Sequence, residues 1–411
     1  MKVAIHFARF GPYHLARISA AAEVLGSEGW NVVGLETGGA DETYAWNEEF
    51  GEQRWERMTV FPGEAAERLD KSRVRAGMMQ SLDNLKPDAV AIAGWGSVDA
   101  RACLDWCKKN HAQAIVMSET READGVRVWW KEWIKSRIIG KFDSALVGAA
   151  SHRDYLVKLG MPAEKIQLGY NVVDNEYFAE ECLKVGRSEV GGRRSEVEGL
   201  KVGKYFLASN RFIDRKNLTR LIEAYAQFSL NQLRTRNQDL RPPWNLCLLG
   251  DGELKSQLIK QCENLGLKVL ECAPWEELPK SAISHQPSVT VYFPSFRQIE
   301  ELPRFYAHAG CFVHPALEEP WGLVLNEAMA CGLPVLSGSN VGAAEELIDE
   351  GVNGWTFNAV DVDEVAECLN KIVGMSEVEW LNMSKQSLRI LEERCPTRAF
   401  GEGLVALLRD S

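Results

Sequence analysis

The sequence lacks any run of about 18 apolar residues, so no segment is expected to span a membrane as a helix. It also lacks a basic excess. A formal net charge of -11 excludes a protein whose main task is holding nucleic acid, although a local basic pocket for a phosphorylated ligand is still allowed. The opening MKVAIHFARFG is too short and too polar for a secretory signal and reads as a strand running into a turn. Ten cysteines are present without the spacing of a disulfide framework, so the thiols are expected to stay reduced and the compartment to be cytoplasmic. Cys103, Cys107 and His111 fall at i, i+4 and i+8, but a further metal ligand is missing. They are expected to form a buried helix stripe, and no metal or other cofactor is expected anywhere in the chain.

What is present is ample for two ordinary domains: 411 residues, 45% of them apolar and 26% charged. Short, nearly continuous apolar runs alternate with helical patterns, as expected for parallel strands covered on both faces. Strands are expected at Val3–Phe7, Trp30–Leu35, Ala89–Ala93, Ala114–Met117 and Asp143–Val147, with helices at Tyr13–Ser27 and near His152–Leu159. The rhythm restarts with strands at Tyr205–Ala208, Trp244–Leu249, Val289–Phe293, Cys311–His314 and Pro334–Ser337, and a helix at Leu218–Phe228. The intervening stretch is rich in glycine and charge, with Arg-Ser-Glu-Val nearly repeated, and has little to bury. The expected fold class is therefore α/β, with two doubly wound Rossmann-like domains facing across a cleft. Their expected bounds are 1–180 and 204–395, with 181–203 a flexible insertion or linker.

In the second half, Glu318 and Glu319 occupy a polar loop after a strand, a helix begins near Trp321-Gly322, and Glu327 lies eight positions beyond Glu319. A helix N-terminus offers unpaired amides and partial positive charge, suited to a diphosphate. Gly322 permits close approach to the backbone. Taken alone, two glutamates there read as ordinary helix-capping acids. Arg211 and Lys216 sit in the loop after another strand, and alone would read as a solvated helix start. Asp361-Val362-Asp363 is the one D-x-D, and reads as an N-cap with a first-turn acid.

The block EPWGLVLNEAMACGLPV resembles the E-x7-E motif of the family 4 (group 1) glycosyltransferases, retaining enzymes of the GT-B fold. The resemblance extends through Asn340–Glu345 and Gly351–Trp355, and upstream through Ser209–Tyr225 and Lys165–Phe178. It implies that Glu319 contacts the donor sugar and Glu327 the ribose, while the amides of Trp321, Gly322 and Leu323 face sugar and diphosphate. It assigns Arg211 and Lys216 to the donor diphosphate, where fixed cations stabilise the charge that develops on the leaving group without a metal. The nucleotide base is expected near Pro294–Arg297. The domain 204–395 becomes the donor side and 1–180 the acceptor side, and a C-terminal helix at about 396–411 is expected, by analogy, to pack back on the latter.

On the acceptor side the sequence departs from that pattern. The Gly-rich turn of the family, which faces the donor phosphates, keeps Gly11 but has Pro12 next, and Pro12 has no N–H to donate. His14 either reaches the cleft or packs and caps. The histidine common after the strand matching Ala89–Ala93 is replaced by Gly94-Trp95-Gly96-Ser97, and the next strand end offers Ser118-Glu119-Thr120. Trp95, Glu119 and His14 are the acceptor-side candidates. The segment Arg127–Phe142 places Trp130, Trp133 and Ile134 on one face among cations. It is expected to pack that face on the first sheet; lying on a membrane, where it would meet a lipid-linked acceptor, is the alternative.

The expected activity is retaining, metal-independent transfer of a sugar from a nucleotide-diphosphate donor to an acceptor hydroxyl on a saccharide, a lipid-linked or a small molecule. Another nucleotide-sugar enzyme of the same fold, such as an epimerase, and an inactive nucleotide-sugar-binding module are the alternatives.

Overall fold

A computed structural model describes residues 1–40, 53–190, 205–234, 244–276 and 289–409. The chain divides into two compact units, Met1–Asp174 with Cys395–Ser411, and Asn175–Arg394.

The first unit is a parallel sheet of β1 (Lys2–Phe7), β2 (Asn31–Ala40), β3 (Glu56–Ala65), β4 (Ala89–Ala93), β5 (Gln113–Ser118), β6 (Ser144–Val147) and β7 (Ile166–Leu168). Their spatial order is β3-β2-β1-β4-β5-β6-β7, so the chain reverses its direction of travel between β1 and β4. Ile92, Val116 and Val147 in the central strands are fully buried, because helices cover both sheet faces. The helix Ala399–Arg409 belongs to this unit; it packs on the helix Pro12–Ser27 and its Leu407 carbonyl accepts from Gln113 at 3.1 Å.

The second unit repeats the plan with β8 (Tyr205–Ser209), β9 (Asn245–Leu249), β10 (Lys268–Leu270), β11 (Thr290–Tyr292), β12 (Cys311–His314), β13 (Val335–Gly338) and β14 (Gly354–Phe357). The order β10-β11-β9-β8-β12-β13-β14 puts the reversal between β8 and β12. In an open parallel sheet such a reversal leaves a crevice at the carboxyl ends of the strands, the usual place for a ligand.

Several expectations need correction. The domain boundary falls at Asp174, before 180, and residues 181–190 continue the helix Asn175–Val190 instead of starting a flexible linker; 191–203 lie outside the described residues. Cys182 and Cys331 pair as a disulfide with Cα atoms 5.8 Å apart, contrary to the expectation of ten free thiols. They come from a helix and a helix end separated by 149 positions, so no local spacing announces the pair. Cys103 and Cys107 are buried on one helix as expected, but His111 leaves that stripe: it caps the helix with φ +56° and is exposed.

The helix Trp129–Ile139 overturns its expected packing. The stripe facing the protein is Glu132, Lys135, Ser136 and Ile139, while Trp129, Trp130, Trp133 and Ile134 are exposed. Polar groups hold the inner side: Glu132 accepts from Lys135 at 2.8 Å and from the Tyr155 hydroxyl at 2.7 Å.

Candidate functional site

Two loops meet at the β8/β12 reversal. Leaving β8, the chain turns through Asn210 and Arg211, and Phe212 is fully buried as an anchor. The neighbouring turn after β9 clasps this one: the Phe212 amide donates to the Asp251 carbonyl at 2.8 Å, and Leu254 N donates to the Phe212 carbonyl at 3.1 Å. Gly250 (φ +135°) is required by that contact, since a Cβ there would lie 2.0 Å from the Asn210 carbonyl oxygen. A short turn, Asp214–Lys216, follows, and Asn217 adopts φ +55° before the helix Leu218–Arg234. The Asn217 side-chain amide donates to the carbonyls of Pro315 (3.0 Å) and Ala359 (2.6 Å), and Leu317 N donates to the Arg215 carbonyl at 2.9 Å. The loop after β12 is therefore stitched to the loop after β8.

That second loop is held from its other side as well. Glu319 N donates to the Asn340 carbonyl at 3.2 Å, and Gly342 N donates to the Glu319 carbonyl at 3.1 Å, a single parallel bridge beyond the ends of the strands. With its backbone fixed, Glu319 turns its carboxylate toward the first loop. Oε2 accepts from Lys216 Nζ at 2.5 Å, and Arg215 stands 3.8 Å from Oε1. Both side chains of the closer pair are largely buried, at 11% and 14% exposure. Burial pulls the Lys216 ammonium below the ordinary lysine pKa; Glu319 opposes this, and Arg215 and Arg211 add to it. Arg211 itself is exposed.

After Glu319 the chain reaches Gly322, whose φ of +107° suits glycine, and which precedes the helix Leu323–Ala330 without a side-chain cap. Trp321 is buried, its indole N–H donating to Asn326 at 2.9 Å, so its side chain packs while its backbone leads into the helix start. Glu327 is fully buried and accepts from the Tyr306 hydroxyl at 2.6 Å. The E-x7-E spacing thus places one carboxylate among cations and the other inside the domain on a tyrosine. Chemically, the crevice offers three cations around one carboxylate, next to a helix N-terminus whose first amides lack intrahelical partners. That combination suits a ligand carrying both a diphosphate and hydroxyl groups.

Sequence reasoning missed five residues here. Arg215 and Asn217 lie between the singled-out Arg211 and the helix, and Tyr306 serves Glu327 from a distant helix. Asn210 and His314 are buried at the ends of β8 and β12 with no hydrogen-bond partner on either side-chain polar atom. Burial, Lys216 and Arg215 hold the His314 imidazole well below the ordinary histidine pKa, so it stays neutral. Their position at strand ends beside Arg211 and Glu319 was the available signal. Asp361 and Asp363 are both engaged elsewhere: Asp361 caps the helix Val362–Gly374, and Asp363 accepts from Gln227 at 2.7 Å.

In the first unit the turn after β1 is occupied by its own contacts. Phe10 N donates to the buried Glu36 at 2.9 Å, and Gly11 N donates to His14 Nδ1 at 3.1 Å. His14 therefore caps its helix, and its ring lies 4.3 Å from that of Phe7. Burial, then Arg17 and Arg9, push its pKa down to about 3. Trp95 is half-buried against the core of this unit. Glu119 is exposed at the end of β5; burial, opposed by Arg17 and aided by Glu119, pushes the Tyr170 phenol up to about 12.

Two parallel doubly wound units, one with a cation–carboxylate crevice at its reversal point, define the GT-B class of α/β proteins. Solved structures agree on that fold. A HepE from Anabaena in complex with UDP-glucose superposes with a TM-score of 0.68 at 16% identity, covering 100% of both chains. Sucrose-phosphate synthase from Thermosynechococcus elongatus does so at 0.67 and 16% identity, over 100% of this chain and 98% of that one. Over residues 194–270 and 275–384 the chain matches the family described as glycosyl transferases group 1. Among curated relatives, sucrose synthase 4 of Oryza sativa is 28% identical over 50% of this chain and 24% of its own length. The sucrose synthase of Denitrovibrio acetiphilus is 33% identical over 28% of this chain and 15% of its own. The chain therefore matches about a quarter or less of the length of these relatives.

Among the described residues, no helix is long and apolar enough to cross a membrane.

Proposed function

We propose that the protein is a retaining, metal-independent glycosyltransferase that moves a sugar from a nucleoside-diphosphate donor to an acceptor hydroxyl. The observation that carries this reading is the pairing of Lys216 with Glu319 at the β8/β12 reversal, with Arg211 and Arg215 beside it. The UDP and UDP-glucose named for the HepE complexes, and the sucrose synthases among the relatives, support a nucleotide-sugar donor.

In this reading Lys216 and Arg211 bind the diphosphate in place of a metal. They stabilise the charge it gains as the bond from the anomeric carbon to its oxygen breaks. The acceptor oxygen bonds to that carbon on the face the leaving group departs from, and its proton passes to the leaving phosphate. Nucleoside diphosphate and a glycoside of unchanged anomeric configuration are released. Glu319 accepts hydrogen bonds from the sugar hydroxyls once the diphosphate has drawn Lys216 away from it. Glu327, braced by Tyr306, takes the ribose, and the amides of Gly322 and Leu323 face the diphosphate. On the acceptor side Glu119 orients the hydroxyl; His14 and Gly11 are given to capping instead.

An inactive sugar-nucleotide-binding module is a second reading, favoured by the turn at 10–12: the amides of Phe10 and Gly11 are engaged and Pro12 has none. A donor labelled in the sugar separates the two. Transfer, or slow hydrolysis in water, is expected of the enzyme; tight binding without any cleavage would establish the module.

A further inference from the structure

We propose that the outward face of the helix Trp129–Ile139 docks this protein on an anionic lipid bilayer. Trp129 is 82% exposed, Trp130 47%, Trp133 56% and Ile134 43%, and Val126 just before the helix is 94% exposed. Scattered surface hydrophobics need no explanation, but three tryptophans and an isoleucine on one turn-and-a-half form a contiguous apolar patch. The helix is turned inside out relative to an ordinary surface helix, which buries its apolar stripe. Here the inward side is the half-buried Glu132, Lys135, Ser136 and Ile138 with the buried Ile139, and the indoles face solvent.

Charge selects the occupant. The only acid of the helix, Glu132, is turned inward and neutralised by Lys135 at 2.8 Å. The outward cations remain, and they sit on the aromatic rings: Arg137 is 4.6 Å from the Trp133 centroid, and Lys131 is 5.5 Å from that of Trp130. A basic, indole-rich face complements a negative surface, whereas the same face of a second copy would set Lys131 and Arg137 against like charges. Indoles favour the headgroup level of a bilayer, where the ring is buried and the N–H stays wet, and lysine and arginine add attraction to anionic lipid. This face needs no spanning segment, and the inference is independent of the glycosyl-transfer reading.

The test uses the full chain and sedimentation with vesicles of phosphatidylcholine alone or mixed with phosphatidylglycerol. Wild type is expected to partition onto the mixed vesicles, less so at high salt, and weakly onto phosphatidylcholine. Lys131→Gln and Arg137→Gln should each lower the partition coefficient about fivefold. Trp129→Ser with Trp133→Ser should lower it by about tenfold or more, while circular dichroism stays that of wild type, since both side chains are exposed. Equal partitioning of wild type and variants would overturn the proposal. So would a wild-type dimer that the tryptophan variant converts to monomer without any vesicle binding.

Discussion

Lys216 Nζ lies 2.5 Å from Glu319 Oε2, although the two residues stand 103 positions apart in the chain. Each comes from a loop on one side of the sheet reversal, and each is mostly withdrawn from water. Removing one partner leaves a charge that solvent cannot fully screen. Removing both leaves only Arg215 and Arg211, which are exposed.

Stability and activity should therefore separate. Lys216→Ala and Glu319→Ala are each expected to lower unfolding free energy by on the order of 3 kcal/mol, the scale for breaking a buried ion pair. The double variant Lys216→Met with Glu319→Gln should recover most of that loss in urea denaturation. All three should be inactive in transfer. Additive losses, or an active double variant, would refute the pairing as described.

The second carboxylate makes a different prediction. Glu327 is fully buried and accepts from the Tyr306 hydroxyl at 2.6 Å. Tyr306→Phe removes that donor from a desolvated carboxylate and should cost about 1–3 kcal/mol of stability. It should also weaken donor binding while leaving the affinity for free inorganic diphosphate unchanged, because Glu327 is assigned to the ribose. Equal weakening of both ligands would place Glu327 elsewhere.

His14 supplies the pH dependence. Its Nδ1 accepts from Gly11 N at 3.1 Å, and its folded pKa is about 3 against an ordinary 6.5. Between those values the unfolded chain binds a proton that the folded chain does not, so this residue's contribution to stability is lost as pH falls below 6.5. Wild type should therefore lose stability on acidification more steeply than His14→Gln. The His14 ring resonance should not titrate from about pH 5 to pH 8, where an ordinary histidine would. A midpoint near 6.5 would contradict the capping geometry.

How much of this was legible in the sequence depended on burial. The central strands of both sheets are covered on two faces and announce themselves as apolar runs; Ala89–Ala93 is observed with its expected bounds. The four strands that escaped notice, β3, β7, β10 and β14, are the edges of the two sheets. Edge strands have one unpaired side and mixed composition, as in Glu56–Ala65, which contains Pro62 and buries only Phe61 and Ala65. In the site, Glu319 and Glu327 were visible because the motif that carries the family resemblance is local to one loop and helix. Tyr306 and Asn217 were not, because their partners lie on other elements and only the folded sheet brings them together. The helix Trp129–Ile139 was misjudged because tryptophan spacing marks a face without saying whether it turns toward the core.

The most direct test of the donor site is calorimetric titration of the full chain with UDP, GDP and ADP in the presence of EDTA. At least one should bind the wild type, and Lys216→Ala should bind that nucleotide about tenfold or more weakly, as expected when a charged partner of the diphosphate is removed. Failure of all three to bind wild type, or equal affinity for Lys216→Ala, would contradict the account.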